Sequence, residues 1–144
     1  MGVGCSSVTQ DEEAISAMTQ LGEKIGICFQ IKDDLFDYGT SDVGKPTGID
    51  IKEKKMTLPL IYALNNTDKS TKRSIIYDIK NNSTDDKVVK RVINFVKEHN
   101  GIEYTNDMML TYQKEALDML KNLPQGPAIQ HLESLLLYIT NRKN

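Results

Sequence analysis

Apolar side chains recur at intervals of three and four residues along most of this chain, the spacing that places them on one face of an α-helix. The longest run of this kind occupies residues 10–38, and Gly39 follows it as a stop signal. Its apolar positions are Ile15, Met18, Leu21, Ile25, Cys28, Phe29 and Phe36. The pattern therefore predicts one long helix, begun by a capping box from Thr9 to Glu12.

Five shorter helical segments are predicted after this long helix. Thr57 and Ser83 are the predicted N-caps of two of them, and Asn100-Gly101 is a predicted stop. No alternating strand pattern is present, and the valines near Val88 keep a helical period. The predicted segments cover approximately 58–64, 70–80, 84–100, 108–123 and 128–139. We therefore expect an all-α fold of about six helices.

Residues 39–55 separate the long helix from the others and have the composition of a loop. Glycine, proline, serine and threonine are frequent there, and several lysines follow them. A loop of this length inside a compact domain is usually functional. This segment therefore directs attention to the end of the long helix, where the loop begins.

Length and charge limit the possible partners. The chain has 144 residues and a formal net charge of -2, so it is long enough for one domain with a core and has no excess positive charge. We therefore expect no nucleic acid partner, and no apolar run reaches the roughly 20 residues of a transmembrane helix. With two cysteines and no signal-peptide pattern, the expected location is the cytoplasm.

Three carboxylates stand together at the end of the predicted long helix. Asp33 and Asp37 are four residues apart and fall on one helical face, whereas Asp34 points about 100° away. The helix dipole disfavours acidic residues at a helix C-terminus, and a bound cation would offset this unfavourable interaction. Oxygen ligands favour a hard ion such as Mg²⁺, although an acidic cluster on a helix is more often a solvated face.

Lysines in the following loop are candidates for binding an anion. Lys45 stands between Gly44 and Gly48, where the backbone can approach a ligand closely, and an ammonium group can neutralise phosphate oxygens. Lys55 precedes the next helix and is a second candidate. Either lysine could equally be a solubilising surface charge. Together with the carboxylates, they suggest a site for a divalent metal and a polyphosphate.

The complete arrangement resembles the second aspartate-rich region of trans-polyprenyl diphosphate synthases, the all-helical enzymes that elongate isoprenoid chains. The resemblance extends to the turn at Gly101 and the last two helices, so it covers nearly the whole chain. Lys54 departs from the family pattern, in which glycine is common. The matching segments are Phe29-Gln30-x-x-Asp33-Asp34-x-x-Asp37, Gly44-Lys45-x-x-Gly48-x-Asp50 and Lys55-x-Thr57-Leu58-Pro59.

The resemblance implies a helical bundle of the isoprenoid-synthase type and the transfer of a prenyl group from an allylic diphosphate to isopentenyl diphosphate. By this resemblance Asp33, Asp34 and Asp37 hold Mg²⁺. The resemblance also implies that the remaining matched side chains bind the diphosphate and the substrate, with Lys45, Lys55 and Gln30 as the catalytic residues. Those side chains are Phe29, Gln30, Lys45, Thr47 and Lys55.

The family's first aspartate-rich motif has no counterpart before Asp33, where the only acidic cluster is the capping segment that includes Glu12. We therefore expect residues 1–144 to be the C-terminal part of one synthase domain, with little activity alone. Two alternatives are a non-catalytic partner subunit of a synthase and an inert helical domain. A homodimer, or association with another synthase chain, is the expected assembly.

Overall fold

A computed structural model of the chain describes residues 1–39 and 47–142. In these residues the regular secondary structure is entirely helical, without a β-strand. The predicted all-α fold class is therefore confirmed. The helices are α1 (Gly2–Ser6), α2 (Glu12–Asp37), α3 (Ile49–Lys52), α4 (Leu58–Asn65), α5 (Lys69–Asn82), α6 (Asp86–Glu98), α7 (Gly101–Lys121) and α8 (Pro127–Asn141).

The six predicted helices correspond to α2 and to α4 through α8. Helices α1 and α3 were not predicted, because elements of five and four residues are too short to show a helical period. The prediction of a continuous loop over residues 39–55 is therefore wrong at α3.

Two predicted N-caps are wrong. Helix α2 is capped by Asp11, whose carboxylate accepts hydrogen bonds from the amides of Glu13 and Ala14, whereas the Thr9 hydroxyl accepts the Asp11 amide. Helix α6 is capped by Asp85, whereas the buried Ser83 hydroxyl donates to the carbonyl of Lys52. In both cases an aspartate nearer the helix takes the capping position, where aspartate and serine are about equally favoured.

The described chain divides into two compact units. The first contains residues 1–32 and 108–142, and its buried side chains come from α2, α7 and α8. The Cys28 sulfur lies 3.6 Å from the Met109 carbonyl oxygen inside this unit, and Lys24 pairs with Glu115 at its surface. The buried apolar residues of this unit are Leu21, Cys28, Ile31, Met109, Ala116, Leu120, Leu136 and Ile139.

The second unit contains the described residues between 33 and 107. Its core is formed by α4, α5 and α6 together with Tyr38 and Ile51, both of which are almost completely buried. Three valines of α6 lie in this core, so packing of the helix face overrides their preference for strands. The core residues are Tyr38, Ile51, Leu60, Ala63, Leu64, Ile75, Ile79, Val89, Val92, Ile93, Phe95 and Val96.

Within the part of the chain that the structure describes, no helix combines the length and the apolar character needed to cross a lipid bilayer.

Candidate metal and diphosphate site

The carboxylate of Asp37, in the last turn of α2, binds the start of α3. Its Oδ1 accepts a hydrogen bond from the Ile49 amide at 2.7 Å, and its Oδ2 accepts one from the Asp50 amide at 3.1 Å. The backbone carbonyl of Asp37 also accepts the Gly48 amide at 3.0 Å. Burial raises the pKa of the Asp37 carboxyl, and the hydrogen bonds from the Ile49 and Asp50 amides oppose this shift.

Asp34 faces the start of α4. Its Oδ2 lies 3.5 Å from the Leu58 amide nitrogen, a long contact in which the carboxylate meets the positive end of a helix. Thr57 is the N-cap residue of α4, as predicted, but its side chain makes no capping bond. Its hydroxyl instead lies 2.6 Å from the hydroxyl of the buried Tyr38. Asp34 thus supplies the negative charge at this helix start.

Asp33 is exposed and Asp34 is only partly buried, so both are nearer to solvent than Asp37. Burial raises the pKa of Asp34, and the negative charges of Asp50 and Asp33 raise it further. Ionisation of Asp34 is therefore disfavoured by its surroundings. A cation bound close to it would reverse that penalty.

Lys55 carries positive charge into the same region. Its Nζ donates to Oδ1 of Asp50 at 3.0 Å and also lies 2.7 Å from Oε2 of Glu53. The hydrogen bonds with Glu53 and Asp50 raise the pKa of Lys55, and its positive charge lowers the pKa of Asp34. The ammonium group is therefore fully protonated at neutral pH, and more than half of the side chain is exposed.

The donor set suits Mg²⁺ in its usual protein environment. In residues 1–39 and 47–142, no group of three or more His, Cys, Asp or Glu side chains is arranged to hold a metal ion. Mg²⁺ commonly takes only one or two carboxylates and completes its octahedron with water and phosphate oxygens. Asp33 and Asp34, which are the more accessible carboxylates, fit that pattern. As metal ligands, all three aspartates remain a prediction.

The other predicted site residues are placed differently. Thr47 is partly buried and immediately precedes Gly48, whereas Lys45 lies outside the described residues. In the first unit, Phe29 and Gln30 are exposed on α2, and the Arg142 guanidinium lies 4.6 Å from the centre of the Phe29 ring. This separation is within the range of a cation–π contact. Their roles in substrate binding remain predictions.

Two residues near the aspartates were not among the predicted site residues. Asp50 is in the first turn of α3, where its backbone amide binds Asp37 and its carboxylate binds Lys55. Tyr38 holds Thr57 from inside the core. Asp50 belongs to the motif that matches the family, so the resemblance could have identified it as a site residue. Nothing in the local sequence indicates the partner of Tyr38.

A separate groove of about 620 Å³ lies between α5 and α6 and contains none of the predicted site residues. Its floor includes Ile75 and Phe95, and its rim includes Lys87 and Lys90. Arg91, also on the rim, is bound by Asp78 and Ser74. Cavity volume therefore does not distinguish the aspartate region. The features that distinguish it are its charged side chains and the starts of α3 and α4 beside them.

Comparison with known proteins places this chain in a family. Residues 1–96, two thirds of the chain, match the family model described as polyprenyl synthetase. The chain belongs to the polyprenyl synthetase family. The matched range contains the three aspartates, Lys55 and the starts of α3 and α4. The predicted resemblance is therefore confirmed.

Members of the polyprenyl synthetase family are similar along nearly the whole chain. It is 29% identical over 143 residues to heptaprenyl diphosphate synthase component 2 of Bacillus subtilis, covering 98% of this chain and 40% of that protein. It is 34% identical over 125 residues to the mitochondrial hexaprenyl pyrophosphate synthase of Saccharomyces cerevisiae, covering 85% of this chain and 25% of that protein.

The fold of a solved family member is also similar. The crystal structure of geranylgeranyl pyrophosphate synthase from Bacteroides thetaiotaomicron matches with a TM-score of 0.87 and 42% identity. The match covers 98% of this chain and 47% of that enzyme. The chain therefore spans less than half the length of these three polyprenyl synthetase relatives.

Proposed function

We propose that this chain supplies one side of the metal and diphosphate site of a prenyl-transferring enzyme. The observation that carries the proposal is the grouping of Asp34, Asp50 and Lys55 around the starts of α3 and α4, inside the range that matches the polyprenyl synthetase family. Carboxylates there can bind a cation, and Lys55 can bind the phosphate that the cation accompanies.

The proposed substrates are an allylic diphosphate and isopentenyl diphosphate. In the reaction, the C–O bond of the allylic diphosphate breaks, and diphosphate leaves with the electron pair. The double bond of isopentenyl diphosphate attacks the allylic carbon, and a proton is then lost. Bound Mg²⁺ would neutralise charge on the leaving diphosphate. Asp33 and Asp34 would hold the ion, and Lys45, Lys55 and Thr47 would bind the diphosphate.

Phe29 and Gln30 would contact substrate, with Phe29 bordering the hydrocarbon chain. Because the relatives are longer, residues of a further segment or of another chain would have to complete the site. Prenyl transfer is therefore proposed for the assembled enzyme, as a homodimer or with another synthase chain. The cytoplasm is its proposed location, since both described cysteines are free thiols, as is usual in a reducing compartment.

A second candidate function is that of a partner subunit without its own catalysis. It is favoured by relatives from Bacillus subtilis and Geobacillus stearothermophilus, which are both named component 2 of a heptaprenyl diphosphate synthase. A subunit of this kind would bind another synthase chain and leave the transfer rate unchanged when Asp33 is replaced. The catalytic role requires that rate to fall.

Titration calorimetry with inorganic diphosphate tests the proposed site on the full chain. Diphosphate should bind when Mg²⁺ is present and not when the metal is chelated. Asp33→Asn and Lys55→Gln should each weaken binding by roughly tenfold or more, because each removes a charged contact. Lys52→Gln is the matched control. It removes the same charge from a side chain that pairs with Asp86, 2.8 Å away, and should change affinity by less than about threefold.

Binding that does not require Mg²⁺, or that is unchanged in both Asp33→Asn and Lys55→Gln, would contradict the proposed site. A parallel loss in Lys52→Gln would show that general positive charge, and not the position of Lys55, determines the affinity.

A further inference from the structure

We infer that Asp37, the third aspartate of the motif, is a positioning residue that holds the start of α3 and does not bind metal. This inference rests on the proposed function only where Asp33 serves as the metal-binding comparison. The hydrogen-bonding role of Asp37 stands on the described contacts alone.

Each of the three acceptor oxygens of Asp37 accepts a hydrogen bond from one of three consecutive residues at the start of α3. Its two carboxylate oxygens accept the amides of Ile49 and Asp50 at 2.7 and 3.1 Å, and its carbonyl accepts the Gly48 amide at 3.0 Å. Only 8% of the residue is exposed. Three consecutive amides are therefore satisfied by one buried residue at the end of α2.

This arrangement disfavours a cation at Asp37. Both carboxylate oxygens are already used by N–H groups, whose dipoles place partial positive charge beside them. A metal ion bound at the same oxygens would face those N–H groups or would have to displace them. Displacement would leave the Ile49 and Asp50 amides without their acceptors, which costs free energy.

The residues that Asp37 holds are connected to Lys55. The Asp50 carbonyl accepts the Lys55 amide at 2.8 Å, and the Asp50 carboxylate accepts its Nζ at 3.0 Å. On the other side, Gly48 has a φ of 78°, and a Cβ there would be 2.2 Å from Cγ1 of Val89. The start of α3 is therefore fixed between Asp37 and α6, and its position determines where Asp50 and Lys55 lie.

Amide exchange by NMR, combined with Mn²⁺ binding in the presence of inorganic diphosphate, tests this inference on the full chain. In Asp37→Asn, at least one of the Ile49 and Asp50 amides should exchange roughly tenfold faster or more, because the new NH₂ group cannot accept a hydrogen bond from the amide that faces it. Mn²⁺ affinity, measured by electron paramagnetic resonance, should stay within about threefold of the wild-type value. Asp33→Asn should give the opposite pattern.

Asp68→Ala is the structural control, since Asp68 also accepts two backbone amides, those of Ser70 and Thr71, through Oδ1 at 2.8 and 3.0 Å, and alanine removes that acceptor. It should accelerate exchange at Ser70 and Thr71 and leave Ile49 unchanged. If Asp37→Asn does not fold, carboxylate ¹³C shifts of the wild-type chain decide the matter. Mg²⁺ with diphosphate should then move the Asp33 resonance and not that of Asp37.

Unchanged exchange at Ile49 and Asp50 in a folded Asp37→Asn protein would overturn the inference. So would a loss of Mn²⁺ affinity equal to that of Asp33→Asn, or a metal-induced shift of the Asp37 carboxylate. If Asp33→Asn alone leaves Mn²⁺ binding intact, the proposed function fails, while the exchange data still decide the role of Asp37.

Discussion

The three aspartates of the motif are neighbours in sequence but differ in their surroundings. Asp33 is exposed, Asp34 faces the start of α4, and Asp37 is buried against the amides of α3. Helical spacing correctly predicts that they lie at the end of one long helix. It could not predict that residues 12 and 13 positions further along return to bind Asp37. A buried acceptor is recognised only when its donors are located.

The two cysteines provide a prediction at the scale of single residues. Cys28 is fully buried, and burial raises the pKa of its thiol to about 11, whereas Cys5 is partly exposed. At pH 8 only about 0.1% of Cys28 is thiolate, the form that reacts with alkylating reagents. Iodoacetamide should therefore modify Cys5 in the native chain and Cys28 only after unfolding.

Peptide mass spectrometry after timed alkylation measures this difference, with a sample in urea as the control for intrinsic reactivity. At pH 8 the Cys28 rate should stay well below the Cys5 rate, because burial limits both the access of the reagent and the ionisation of the thiol. Equal rates at the two thiols in the native state would contradict the burial of Cys28.

At the scale of elements, the boundaries depend on contacts that sequence pattern does not show. Helices α3 and α4 both start beside a carboxylate of α2, and α3 is too short to be recognised by its period. The end of α6 near Asn100-Gly101 was predicted correctly, because it uses a local signal: Asn100 has a positive φ of 55°. Local signals are therefore predictable, whereas long-range caps are not.

Glycine replacements test the packing of two of these elements. At Gly101, the first residue of α7, a Cβ would lie 2.4 Å from the Pro59 carbonyl oxygen and 2.8 Å from Cγ1 of Val96. Gly101→Ala should therefore destabilise the protein by about 2–3 kcal/mol. At Gly26, inside α2, no described atom outside its chain neighbours and the nearby backbone of its own helix lies within 4 Å of a Cβ. Gly26→Ala should stabilise the helix by about 1 kcal/mol.

Urea denaturation followed by circular dichroism measures both changes, and each variant serves as the control for the other. Midpoints that move in opposite directions are expected. A Gly101→Ala protein as stable as the wild type would show that α7 begins with more room than the structure indicates.

At the scale of the whole molecule, hydrophobic periodicity was sufficient to predict an all-α fold and six of the eight described helices. The aspartate and lysine motifs were sufficient to predict the family. The division into two compact units was not predicted, because it depends on which distant helices pack together. The chain also covers less than half of the three relatives described above, so its proposed catalytic role would require parts supplied by a further segment or by another chain.

We propose that this chain supplies the second aspartate region of a working prenyl transferase. The most direct test joins it to the portion of the Bacteroides thetaiotaomicron geranylgeranyl synthase that lies outside the match, since the two proteins are 42% identical in the shared region. Incorporation of radiolabelled isopentenyl diphosphate into longer products would then be measured in this fusion. The fusion should catalyse Mg²⁺-dependent transfer, and Asp33→Asn should lower the rate by roughly a hundredfold or more. A folded fusion that transfers no prenyl group, or that is unaffected by Asp33→Asn, would contradict this role of the chain.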